Sequence, residues 1–240
     1  MSNLNNHSTS SIIKRSTHRS LKAIIALGFM QTAIALPVHA SGVVTESRPV
    51  SNVRSVILED VGELILTESA QESLVVEAEK SVLPKMITKL SNGTLTLALA
   101  GSVNTREPIR YKLNVKKLEQ IEIKGSGDIQ ATNLKNSPTL KVTSSGSGNI
   151  TLHNLNTKQF TFNSSGSGDI HIDGKTQKQT ITLDGANNYD AAKFDSSEAH
   201  IDLSGAGNAK LAVKDRISGS ISGAGNVDYT GHPKDTIKRD

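Results

Sequence analysis

The chain has 240 residues, with 27 Lys and Arg against 23 Asp and Glu, no Cys and no Trp. That length admits one domain or two small ones, and the missing cysteines exclude disulfides, thiol nucleophiles, Cys-bound zinc and a lipid-modified cysteine. The sequence pI near 9.2 belongs to the N-terminus: residues 1–40 hold Lys14, Arg15, Arg19 and Lys22 and no acid, which leaves residues 41–240 balanced at 23 acidic and as many basic residues. A nucleic-acid partner needs a basic footprint, and residues 41–240 carry none in bulk.

Residues 1–22 are polar and basic. Ala23–Met30 is a short apolar run, interrupted at Gln31 and Thr32 and resumed through Leu36, and Pro37-Val38-His39-Ala40 sets compact residues at Val38 and Ala40. That order of regions predicts a signal peptide over residues 1–40, cut before Ser41. A membrane-spanning helix needs about 20 apolar residues, and no stretch of the chain supplies them. The expected location is the periplasm, the outer membrane or cell surface, or the medium after secretion, with residues 41–49 as a short linker.

Residues 50–118 read as one or two irregular initial coils, with strands at Val56–Leu58, Leu64–Leu66, Leu74–Ala78, Leu95–Leu99 and Tyr111–Val115. Asn92-Gly93 between alternating segments signals a two-residue hairpin. Pro84 admits a helix over Ser81–Leu90 only after a break.

From residue 119 a tag of Gly, small residue, Gly, then Asp or Asn recurs six times. Its first glycines are Gly125, Gly146, Gly166, Gly185, Gly205 and Gly223, and its last residues are Asp128, Asn149, Asp169, Asn188, Asn208 and Asn226. Successive tags lie 21, 20, 19, 20 and 18 residues apart, and Asn187 replaces the second glycine of the fourth. Counting the first glycine as zero, positions −4, −2, +4 and +6 are apolar in 21 of 24 places, while −5, −3, +3 and +5 are polar in all 24. Period two on both sides of each tag means two short strands with one face in and one out. A coil of about 20 residues cannot close its own core, so the copies must stack. The leucine-rich signature of a similar period is absent. The fold class is therefore all-β: a single-stranded β-solenoid, right-handed as parallel crossovers are, with six regular coils over residues 119–231 and a charged tail over 232–240. The glycines are expected to turn the corners through positive φ, with Asn187 as the tolerated substitute. The Asp/Asn ladder would bond nearby backbone amides or its own stacked neighbours.

Together with the initial segment from Val53 (VRSVILEDVGELILTESAQESLVVEAE, then SNGTLTL), these tags resemble the "putative autotransporter adhesin" head GIN domain, an exported bacterial family of unknown function. The resemblance implies a single-chain β-helix on the cell-envelope side over residues 50–231, and it brings no catalytic residues with it.

Sharper chemistry finds little support. None of the tags has the Lys of a phosphate cradle or the helix of a dinucleotide turn. Calcium-binding solenoids repeat an acidic tag every nine residues, whereas only Asp128 and Asp169 are charged here. The pairs His171/Asp173 and His200/Asp202 occupy different repeat positions and so fall on different sides of the stack. The outward Thr143, Thr161, Thr180 and Thr182 are interrupted by Lys141, Asn163, His200 and Asp202, which spoils an ice-binding ladder. No catalytic residue, cofactor or metal is assigned. The expected function is a non-catalytic envelope module, adhesin-like or a scaffold, touching glycans or proteins through outward polar ladders. The alternative is a small polysaccharide lyase working on the outward stripe of Asp169, His171, Asp190, Lys210 and Asp228.

Overall fold

The structure is a computed structural model in which residues 42–239 are described; the expected signal peptide lies outside them. In chain order the strands are β1 (Val43–Arg48), β2 (Ser55–Leu58), β3 (Glu63–Glu68), β4 (Ser73–Glu79), β5 (Met86–Ser91), β6 (Thr94–Leu99), β7 (Arg110–Val115), β8 (Gln120–Ile123) and β9 (Asp128–Thr132). They continue as β10 (Thr139–Ser144), β11 (Ile150–Asn156), β12 (Gln159–Ser164), β13 (Ile170–Leu183), β14 (Asn188–Leu203), β15 (Asn208–Ile221), β16 (Asn226–Thr230) and β17 (Lys234–Arg239). Among the described residues no helix is long and apolar enough to cross a membrane.

The strands wind into a β-solenoid with two long parallel walls. Wall A runs β6, β2, β8, β10, β12, then the second halves of β13, β14 and β15, and ends at β17. Wall B runs β7, β3, β9, β11, then the first halves of the same long strands, and ends at β16. The tag forms the corner from wall A to wall B. A short third side returns the chain to wall A; in β13 and β14 it is paired as well, Gly174 lying between Leu155 and Phe194.

Period two explains the interior. On wall B, Ile129, Ile150, Ile170, Tyr189, Ala209 and Val227 stack in register at +4, all buried. On wall A, Ile121, Val142, Phe162, Ile181 and Ile201 do the same at −4. The row is interrupted at Gly219, whose φ of 138° and whose approach to Ile201 leave no room for a side chain: a Cβ would lie 1.8 Å from the Ile201 carbonyl oxygen. Within the tube Phe162 stacks on Tyr189 at 5.6 Å and Phe160 meets Phe194 edge-on at 5.5 Å, contacts worth about 0.5–1.5 kcal/mol each beyond their burial.

The tag glycines serve a different purpose from the expected one. None of them has positive φ. What requires glycine is the closeness of successive coils: a Cβ on Gly148 would sit 1.7 Å from the Gly127 carbonyl oxygen, and one on Gly168 would sit 1.9 Å from that of Gly148. The same approach carries coil-to-coil hydrogen bonds, with Ser147 and Ser167 donating their amides to the carbonyls of Gly125 and Gly146 at 3.1 Å. Asn187 is fully buried, and its Nδ2 donates to the Gly166 carbonyl at 2.6 Å.

The initial region is threaded out of order. The coil made by β2 and β3 is not the end of the stack: it lies between the β6–β7 layer, which follows it in sequence, and the first regular coil, β8–β9. Beyond β6 and β7 the pairing turns antiparallel, with β5 on β6, β4 on β7 and β1 on β4. The anticipated hairpin is present, Asn92 and Gly93 taking φ of 49° and 77° between β5 and β6. No helix covers Ser81–Leu90: a 3-10 turn at Leu83–Lys85 uses Pro84 and gives way to β5, because Met86 and Leu90 pack inward and draw the segment into the sheet. At the other end β17 adds a parallel rung, with Ile237 packed on the core, so the stack extends to Arg239.

Gly168→Ala should destabilise the protein by about 3 kcal/mol or more, since backbone overlap forces layers apart. Gly42→Ala, with nothing within 4 Å of the added methyl, should stay within about 0.5 kcal/mol. Urea denaturation of the two variants measures the difference.

Candidate functional site

Outward positions on wall B stack as regularly as the inward ones. The +3 row is tied by its own side chains. Asp128 Oδ1 accepts from the Asn149 backbone amide at 2.8 Å, Asn149 Oδ1 from that of Asp169 at 3.1 Å, and Asp169 Oδ1 from that of Asn188 at 3.1 Å. Asn208 Nδ2 then donates to Asn188 Oδ1 at 3.2 Å. Asn226 leaves the pattern and donates to Asp228 at 2.8 Å. The bonds from Asp128 to Asn208 run up the stack from coil to coil, and only that of Asn226 spans two residues along the chain.

The +5 row places Thr151, His171, Asp190, Lys210 and Asp228 in register. Together the two rows line a groove of about 670 Å³ with Asn149, Asp169, His171, Asp190, Lys210 and Asp228 along it. The five stripe residues singled out from the sequence are thus brought to one surface. His171 Nδ1 lies 3.2 Å from Asp190 Oδ2. One position further out, His153 Nδ1 lies 2.6 Å from Asp173 Oδ2, and Asp173 Oδ1 accepts the Asn154 amide at 2.6 Å. The His153 hydrogen bond, helped by that amide, holds the Asp173 carboxyl below the usual aspartate range.

His200 and Asp202 stand on wall A, apart from this groove. There His200 Nε2 meets Asp202 Oδ2 at 3.0 Å and Ser220 donates to Asp202 Oδ1 at 2.7 Å. The Ser220 bond is the main reason the Asp202 carboxyl lies below its ordinary range. Each carboxylate is thus spent on a neighbour in its own wall. Among the described residues, no three His, Cys, Asp or Glu side chains gather closely enough to hold a metal ion.

Two features escape a reading of the tags. Glu63 occupies the +3 position of the β2–β3 coil, opposite Asp128, and Arg110 the position beyond, donating to Glu63 at 2.9 Å. The segment Asp60-Val61-Gly62-Glu63 keeps the second glycine and the acid of a tag but lacks the first glycine. Inside the tube, Tyr189 donates to Gln179 Oε1 at 2.8 Å, and Gln179 Nε2 to Ser196 Oγ at 2.8 Å. Ser196 in turn donates to the Ala212 carbonyl at 2.9 Å. Burial pushes the Tyr189 phenol well up, so it remains a hydrogen-bond donor.

The sequence profile of the family described as "Putative auto-transporter adhesin, head GIN domain" matches residues 54–233. Among solved structures, a "putative adhesin" from Bacteroides fragilis is 21% identical with a TM-score of 0.78, covering 82% of this chain and 93% of its own. A "putative lipid binding protein" from Parabacteroides distasonis is 17% identical with a TM-score of 0.65, covering 83% and 94%. A "putative adhesin" from Parabacteroides merdae is 16% identical with a TM-score of 0.60, covering 84% and 97%. At these identities the likeness is one of fold. No curated protein matches the chain.

A depressed carboxyl contributes stability above its unfolded pKa and loses it as pH falls through the folded value. Asp173→Asn should therefore cost about 1 kcal/mol at pH 7, and the difference from wild type should shrink only as pH falls below the ordinary aspartate value and through the lower folded one. Thermal melts across that pH range read it out.

Proposed function

Because this chain belongs to the head GIN domain family, we propose that it is a non-catalytic, adhesin-like module of the cell envelope, binding glycans or proteins through its outward polar ladders. The observation that carries this reading is the wall B groove. Successive coils present amides, carboxylates, an imidazole and an ammonium in register along it, a repeating surface suited to a repeating or extended partner. Catalysis asks for groups that converge on one reacting atom, and here the groups run parallel to the stack.

In this reading residues 1–40 are a signal peptide that exports the chain, and the binding head takes in the expected linker as β1, paired with β4, and the expected tail as β17, paired with β15. The tag glycines and the Asp/Asn ladder hold the coils together, and the ladder shares recognition with the +5 row beside it.

A glycan array combined with a lyase assay on the purified protein tests this. Retention of one or more envelope glycans without product formation is the expected result. Turnover abolished by His171→Ala would overturn it in favour of a polysaccharide lyase.

A further inference from the structure

The third side of the solenoid carries a charge pattern opposite to that of the wall B groove. Two adjoining hollows open there, of about 460 and 630 Å³, sharing Lys175 and Thr176. The first is lined by Lys135, Lys158 and Lys175 and by no carboxylate. The second adds Lys214 and His232, with Asp195 as its single acid. All four lysines are exposed. None of them takes part in an ion pair among the described residues, whereas Arg216, at the start of wall A, pairs loosely with Glu198 at 3.8 Å. Glu68, beside Lys135, accepts the backbone amides of Lys135 and Asn136 at 2.9 and 2.7 Å. The wall B groove has three aspartates, Asp169, Asp190 and Asp228, against Lys210. The near-neutral total charge thus hides a molecule with one acidic and one basic face.

The lysines come from successive turns of the third side. Register sets Asn156 opposite Lys175, and Lys178 donates its amide to the Lys158 carbonyl at 3.0 Å. Lys135, Lys158 and Lys175 thus stand on three successive turns about 4.8 Å apart, staggered along a hollow rather than a ridge, with Asp195 on the turn between Lys175 and Lys214. A concave basic trough parallel to the stack axis excludes a second copy docked through its own concave acidic groove. It admits a thin, flexible chain with closely spaced negative charges. Asn156 and Gln177 line the trough and supply amides for hydroxyl groups. We propose that the third-side trough binds an anionic polysaccharide, its carboxylates spanning Lys135, Lys158 and Lys175 and continuing toward Lys214. This rests on the reading of the chain as a binding module, and it gives one face of that module a ligand class.

The test is biolayer interferometry of the purified protein on immobilised polygalacturonate at about 0.15 M salt. Wild type should bind, and neutral dextran should not compete. The triple variant K135E/K158E/K175E should weaken binding about tenfold or more, whereas K89E/K141E/K238E, with the same net charge but outside the trough, should stay within about twofold. Circular dichroism melts establish that both are folded. If the charge-reversed trough variant is not, K135Q/K158Q/K175Q replaces it, with a loss of about threefold expected. Equal losses in the two triple variants, no binding of polygalacturonate, or self-association of wild type that the trough variant abolishes would each overturn the assignment. Absorbance of an unsaturated product reads failure of the non-catalytic role separately.

Discussion

The carbonyl oxygen of one tag glycine occupies the space where the next coil's glycine would carry a Cβ. At Gly146, Gly166, Gly185, Gly205 and Gly223 that oxygen is within 2 Å of the missing atom. Everything else in the stack is arranged around this closeness. It lets backbone amides reach backbone carbonyls at the corner, where a wider turn would leave them to water. It also fixes the register, so that an inward residue on one coil meets an inward residue on the next. A slip of one residue would turn every such side chain outward.

With folding assigned to the corners and the inward rows, the outward rows are released from it. That freedom is what allows charge to be sorted by face. Wall B gathers aspartates beside a ladder of amides, while the third side gathers lysines that lack partners among the described residues. Exposed ion pairs contribute little to stability, so separating the two signs costs the fold little and leaves each face with a field of its own.

Much of this was legible in the sequence because the repeat is strict. Of the 24 positions expected to face inward, only Gly219 and Tyr229, both in the last coil, are not fully buried. The stripe Asp169, His171, Asp190, Lys210 and Asp228 was likewise placed by counting alone. What the sequence did not disclose was non-local or steric. The reason for glycine at the corners lies in the distance between coils, which no local preference reports. The pairing of β2 with both β6 and β8 has no signature, because each strand alternates equally well in either order. The basic trough was hidden for a related reason: its lysines sit in the irregular third side, where the repeat count does not apply.

The threading of the first coils bears on how the protein is made. The β2–β3 coil finds its partners only in Thr94–Val115 on one side and in Gln120–Thr132 on the other. As the chain is synthesised and emerges N-terminus first, that coil has no template until residues far downstream have appeared, and such distant pairings are slow to close. The foundation must therefore assemble in one concerted event, after which each later coil needs only the one just laid down. Run backwards, the molecule should fray at β16 and β17 and at β1 and β5, each with a single neighbour, before the wedged coil, which is paired on both sides, lets go.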